Sequence, residues 1–116
     1  MVKLSLILSL LCACGLAHAQ NAAAPAGNAE NGKRLFIKDG CYGCHGHDGH
    51  GGTGAKLAPR PIATAAFIAY VRHPSPSGMP VFTAKVISDA DLTDIWAYLK
   101  SIPDTPAVKD IPLLNQ

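Results

Sequence analysis

The stretch CYGCHGHDGHGG, residues 41–52, places two cysteines, three histidines and five glycines in twelve positions. Each cysteine and histidine in it can hold a metal, so its reading decides what the chain is built around. Cys41, Cys44 and His45 have the spacing C-x-x-C-H. On one helical turn, residues three and four apart share a face. Two thiols so placed can each add across a haem vinyl group, while His45 aims an imidazole nitrogen at the iron. Two other readings stay open at this point. A C-x-x-C thiol redox pair belongs in a strand-containing βαβ setting. A structural zinc could take Cys41 and Cys44 with two of His45, His47, His50 and His73, but such sites use a second, separated pair of ligands. For His47 and His50, a second metal competes with a plain solvated glycine-rich loop, and the loop is the expectation.

A haem attached this way leaves one axial position to fill. The sequence has two methionines, Met1 and Met79. Met79 lies in HPSPSGMP, residues 73–80, where Pro80 pushes it out of helical geometry and Pro74 and Pro76 restrain the loop before it. Methionine is usually core filler. On a restrained polar loop rather than a helix face, Met79 is expected to be the second axial ligand. His73 is the competing one and would give a bis-histidine haem.

Working outward, the 116 residues bound one domain. Lys3, the leucine-rich run 4–11 and Ala17-His18-Ala19 read as a secretory signal over residues 1–19, cleaved after Ala19. The expected location is therefore the periplasm. A lipid anchor on Cys14 is the alternative, since a leucine lies three positions before that cysteine. Cleavage removes Cys12 and Cys14 and leaves Cys41 and Cys44, too close together to staple a fold. Loss of Lys3 takes ten basic residues to nine, against eight acidic ones, so electrostatics exclude a nucleic-acid binder. The charge is uneven: residues 30–85 are mainly basic and 86–116 mainly acidic, which can orient a partner. No acid–base pair or phosphate-cradle motif points to a small-molecule substrate.

The remaining chain reads as helices. Residues 20–27 form a flexible lead. Asn28 is placed to cap a helix from Ala29 to about Asp39, stopped by Gly40, with Gly32, Leu35 and Phe36 facing inward. A mid-helix glycine costs about 1 kcal/mol against alanine, and is explained if another helix crosses closely there. One helical turn is expected at Cys41 to His45. A helix from Thr64 to Arg72 has Phe67, Ile68 and Val71 on one face, and Pro74 prevents its continuing. Ser88 and Asp91 are placed to cap the last helix, whose stripe is Leu92, Ile95, Trp96 and Leu99 with Tyr98 beside it, ending at Ile102 before Pro103. Residues 28–103 form the domain, and residues 104–116 an extended tail along its surface. The fold class is all-α, three to four short helices joined by long loops. Those stripes are thin for stability at this size, so something beyond side chains should fill the centre.

The order GKRLF (32–36), CYGCH (41–45), GMP (78–80) and LTDIWAYL (92–99) resembles the small soluble monohaem c-type cytochromes of bacteria, exported proteins with an N-terminal CxxCH and a C-terminal methionine ligand. The resemblance spans about residues 28–103. It implies a cytochrome c-like fold around one covalent haem c, thioether-bonded to Cys41 and Cys44, with His45 and Met79 as axial iron ligands. It also implies that Gly32 and Phe36 cross Ile95 and Tyr98. The implied role is a one-electron carrier between a dehydrogenase or respiratory complex and an oxidase, with redox proteins as partners and no catalysis of its own. The alternatives are a haem enzyme or gas sensor with an open sixth position, and a zinc-binding module. The family's Gly-Pro-x-Leu, whose proline carbonyl accepts the ring N–H of the ligating histidine, reads Gly54-Ala55-Lys56-Leu57 here. Ala55 still offers that carbonyl, from a less rigid loop. Trp96, Arg60 and Arg72 are candidate partners for haem propionates; the plainer reading makes Trp96 a core aromatic and lets both arginines face water.

Overall fold

Four α-helices order the chain, described here from a computed structural model at residues 26–60, 62–76 and 78–116: α1 (Ala29–Lys38), α2 (Tyr42–His45), α3 (Thr64–Arg72) and α4 (Asp89–Ser101). The fold is all-α, as expected, with no strand among the described residues. The expected signal, its cleavage site and Cys14 lie outside the described residues. Among those described, no helix is long and apolar enough to cross a membrane.

Both long helices begin where their capping chemistry places them. The Asn28 side chain accepts from the Asn31 amide at 3.0 Å, and the Ser88 hydroxyl accepts from the Asp91 amide, also at 3.0 Å. Each cap satisfies a donor that the first turn leaves without an intrahelical partner. Helix α1 ends at Gly40, whose φ of 78° is a left-handed conformation that a side chain resists. The chain turns there directly into α2.

The core forms mainly between α1 and α4, with α3 closing one side. Leu35 and Phe36 of α1 are buried against Leu92, Ile95, Trp96, Tyr98 and Leu99 of α4, and Phe67 and Val71 come in from α3. Phe36 and Leu99 are 0 % exposed. The Phe36 and Tyr98 rings meet tilted at 5.7 Å, and Phe67 stacks on Trp96 at 4.7 Å.

The costly glycine of α1 sits at the helix crossing. A Cβ on Gly32 would lie 1.9 Å from the Asp94 carbonyl oxygen and 2.9 Å from the Ile95 nitrogen. Backbone therefore meets backbone, and no side chain fits between them. The crossing is also stitched by polar groups. One Asp94 carboxylate oxygen accepts from the Asn28 amide and the other from the Asn31 side-chain amide, each at 2.7 Å. These two bonds, the side-chain one first, hold the Asp94 carboxyl below its ordinary pKa.

The tail departs from the extended form its prolines suggest. Two single 3-10 turns, Val108–Asp110 and Pro112–Leu114, follow α4. Pro112 starts the second turn, where its missing N–H costs nothing. The Asn115 side chain donates to the carbonyls of Val108 and Ile111, binding the two turns together.

Two outcomes test this packing. Gly32→Ala must drive α1 from α4 and is expected to cost about 3 kcal/mol, at the upper end for overpacking, read from denaturant midpoints. Because the folded state lowers the Asp94 pKa, its contribution is present above about pH 4 and is lost as pH falls through the folded value. Asp94→Ala is therefore expected to melt earlier than the parent at pH 6, with the gap narrowing in melts taken progressively below pH 4.

Candidate functional site

The C-x-x-C-H stretch forms the expected helical turn. Gly40 releases the chain from α1, and Cys41 begins the turn with right-handed helical dihedrals. The His45 amide donates to the Cys41 carbonyl at 3.1 Å, fixing the four-residue spacing on one face. Both thiols are free; Cys41 is half-buried and Cys44 exposed. Burial, with a smaller contribution from Asp39, pushes the Cys41 thiol up to about 11. A dithiol redox centre requires the opposite, a depressed pKa that exposes thiolate at neutral pH. Nor does any group of three or more His, Cys, Asp or Glu side chains among the described residues have the geometry to hold a metal ion. No strand accompanies the turn among the described residues, so the βαβ setting of a thiol redox pair is missing, and the glycine-rich loop brings no such group together.

That loop instead folds back on the turn and fixes the His45 ring. The Gly51 amide donates to the His45 carbonyl at 2.9 Å, and the Gly54 amide to the Cys44 carbonyl at 2.8 Å. At the end of this return, His45 Nδ1–H donates to the Ala55 carbonyl at 2.7 Å. The hydrogen bond survives without the proline, because the Gly54–Cys44 bond and the Lys56–Asp104 ion pair at 2.5 Å hold the loop on either side of Ala55. A Cβ on Gly54 would come within 2.9 Å of His45 Cε1 and 3.0 Å of Nδ1. The backbone thus lies directly on the ring, as only glycine permits. With Nδ1 engaged, Nε2 is the nitrogen left to bind a metal, and the tautomer is set.

Helix α4 holds the same loop from the other side. Tyr98 donates to the His47 carbonyl at 3.0 Å. Burial first, and Asp48 second, raise the pKa of this hydroxyl further above neutrality. His50 donates from Nε2 to the Pro103 carbonyl at 3.0 Å, and the exposed His47 ring lies 4.8 Å from that of Tyr42.

Met79 is half-buried and packs against the core cluster, whereas His73, its competitor, is exposed. The other candidates resolve differently from one another. Arg60 is exposed. Trp96 is a core aromatic, 1 % exposed, and its Nε1 is enclosed by protein with no hydrogen-bond partner. Nε1 thus offers no surface through which a propionate could reach it. Arg72 is largely covered, and it donates to the backbone carbonyls of Phe82 and Ile87 at 2.7 and 2.8 Å. The sequence holds no signal for these bonds, since both acceptors are main-chain atoms. A groove of about 530 Å³ bordered by Arg72, Pro74 and Phe82 lies at the base of the Met79 loop, away from the C-x-x-C-H turn.

These residues fit a covalently held haem. Two unpaired thiols and an imidazole share one turn, the ring is fixed with one nitrogen to spare, and a thioether lies on a separate loop packed into the core. The helical order and this donor set define a small monohaem c-type cytochrome, whose cofactor is haem c. Residues 27–99 match the family model described as cytochrome c oxidase, cbb3-type, subunit III, and the chain belongs to that family. No curated protein and no solved structure matches the chain. The family match runs from Gly27, which touches the Thr93 backbone, to Leu99, so it covers the α1–α4 crossing and the turn together.

Gly54→Ala is expected to push the His45 ring off the Ala55 carbonyl, at a cost of about 1–3 kcal/mol. A slowly exchanging imidazole N–H resonance of His45, present in the parent protein, should be absent from the variant's proton NMR spectrum.

Proposed function

We propose that the chain is a periplasmic one-electron carrier. Cys41 and Cys44 would hold one haem by thioether bonds, and His45 and Met79 would bind its iron. The bound haem supplies reversible one-electron chemistry, ferric to ferrous. Membership of a c-type cytochrome family supports haem-based electron transfer; the finer reading rests on the residues around the turn. The observation that carries it is the His45 Nδ1–H bond to Ala55, which orients the ring and leaves Nε2 as the metal-binding nitrogen. Met79 adds a thioether, and His/Met ligation raises the reduction potential relative to bis-histidine. The buried apolar residues of α1, α3 and α4 exclude water from the centre, which disfavours the more highly charged ferric state. With His45 and Met79 both supplied by the protein as ligands, little would need to move as the electron arrives or leaves.

The partners are redox proteins: a dehydrogenase or cytochrome complex upstream and an oxidase downstream. The family's description as an oxidase subunit supports an oxidase as the acceptor. The charge division between residues 30–85 and 86–116 would orient such encounters. The leader sends the chain to the periplasm and is removed after Ala19.

Intact mass of the exported protein tests the first half of this reading. The expected value is residues 20–116 plus one haem. A colourless product with the mass of bare polypeptide would sink it, and a diacylated mass starting at Cys14 would replace the soluble carrier with a lipid-anchored one. Met79→Ala tests the second half. Its ferric spectrum should lose the sulfur-to-iron charge-transfer band, its potential should fall, and its ferrous form should bind carbon monoxide readily. An unchanged band and potential would transfer the sixth position to another residue.

A further inference from the structure

Arg72 is the last residue of α3, where the chain leaves for the segment 73–87 that carries Met79 and returns to the Ser88 cap of α4. Its guanidinium grips that segment at two points and the start of α4 at a third. Nη1 donates to the Phe82 carbonyl at 2.7 Å, and Nη2 donates to the Ile87 carbonyl at 2.8 Å and pairs with the Asp89 carboxylate. The Arg72 side chain is only 15 % exposed, so water competes weakly for these charge-assisted bonds.

We propose that Arg72 is a positioning residue for Met79, a latch that closes the base of the methionine loop and holds its thioether ready to bind iron. The proposal rests on the Met79 reading above. Residue 82 is the far end of the stretch 73–81, and Met79 lies three residues before it. Apart from the Arg72 bond, that end is held by the half-buried Phe82 side chain, packed against the core, and by one long backbone contact, the Phe82 amide to the Val71 carbonyl at 3.4 Å. Pro74, Pro76 and Pro80 narrow what the stretch can do when released. They do not determine where it lies relative to α3. A planar fork with several donors can reach two carbonyls and a carboxylate at once, which a lysine ammonium cannot do in the same geometry. Release of the latch would let the segment swing from Phe82 while α1, α4 and the C-x-x-C-H turn stay in place.

Imidazole added to the ferric holoprotein competes with Met79 for the iron, and loss of the sulfur-to-iron band reports the exchange. Arg72→Gln is expected to lower the imidazole concentration needed by about tenfold, the effect of losing sheltered charge-assisted bonds. In a Met79→Ala background, where no thioether has to be displaced, Arg72→Gln should change imidazole affinity by less than about twofold. Equal imidazole sensitivity of Arg72→Gln and the parent would overturn the proposal. So would an equal shift in both backgrounds, which would mark Arg72 as a general support of the fold. Should Arg72→Gln fail to accumulate, Arg72→Lys carries the same test with an expected shift of about fivefold, and parent-like behaviour overturns the proposal equally. If Met79→Ala alone leaves the band intact, the ligand assignment fails instead, a result distinct from any produced by Arg72.

Discussion

At the crossing of α1 over α4, the Gly32 Cα faces the carbonyl of Asp94 with no room for another atom. That contact sets the distance between the two helices and everything hung from them. Helix α1 runs directly through Gly40 into the C-x-x-C-H turn, so its placement decides where the thiols and His45 stand. Helix α4 contributes five buried side chains and reaches the loop after the turn through Tyr98. The polar stitching by Asp94 acts at the same crossing, fastening the first turn of α1 to the middle of α4.

The site is assembled differently from the core. Its residues sit on segments with little regular structure, and main-chain hydrogen bonds do most of the holding. Carbonyls of Cys44 and His45 accept from Gly54 and Gly51, Ala55 accepts from the His45 ring, and Phe82 and Ile87 accept from Arg72. Glycines allow the backbone to lie flat on an imidazole. Loops this long are uncommon in so small a domain unless they serve a function; here one fixes the His45 ring and another carries Met79 against the core.

Much of this was legible in the sequence, for identifiable reasons. Asn28 and Ser88 announce helix starts because capping is local chemistry. The stripes of α1, α3 and α4 follow helical period, and every residue expected on them is buried except Ile68, which is half-buried. The glycine of α1 made sense only through a crossing, and the crossing is there. What the sequence concealed depends on main-chain atoms or on placement in space. Arg72 reads as a propionate candidate or a surface arginine, because two of its three partners are carbonyls that every residue possesses. The 3-10 turns of the tail were hidden behind prolines that suit extended chain and turn starts alike. Trp96 could have faced a propionate or the core, and only its stacking on Phe67 and enclosed nitrogen decide between them.

The partnership of α1 with α4 also governs the order in which the molecule can form. Contacts between elements so far apart in sequence require a large loop to close first, and such contacts form late and slowly. As the polypeptide emerges from its N-terminus, α1 has no mate until the residues of α4 follow it. Through that interval the turn with its two thiols lies on chain that α4 has not yet met. The contact that encloses the core is thereby also one of the last to form.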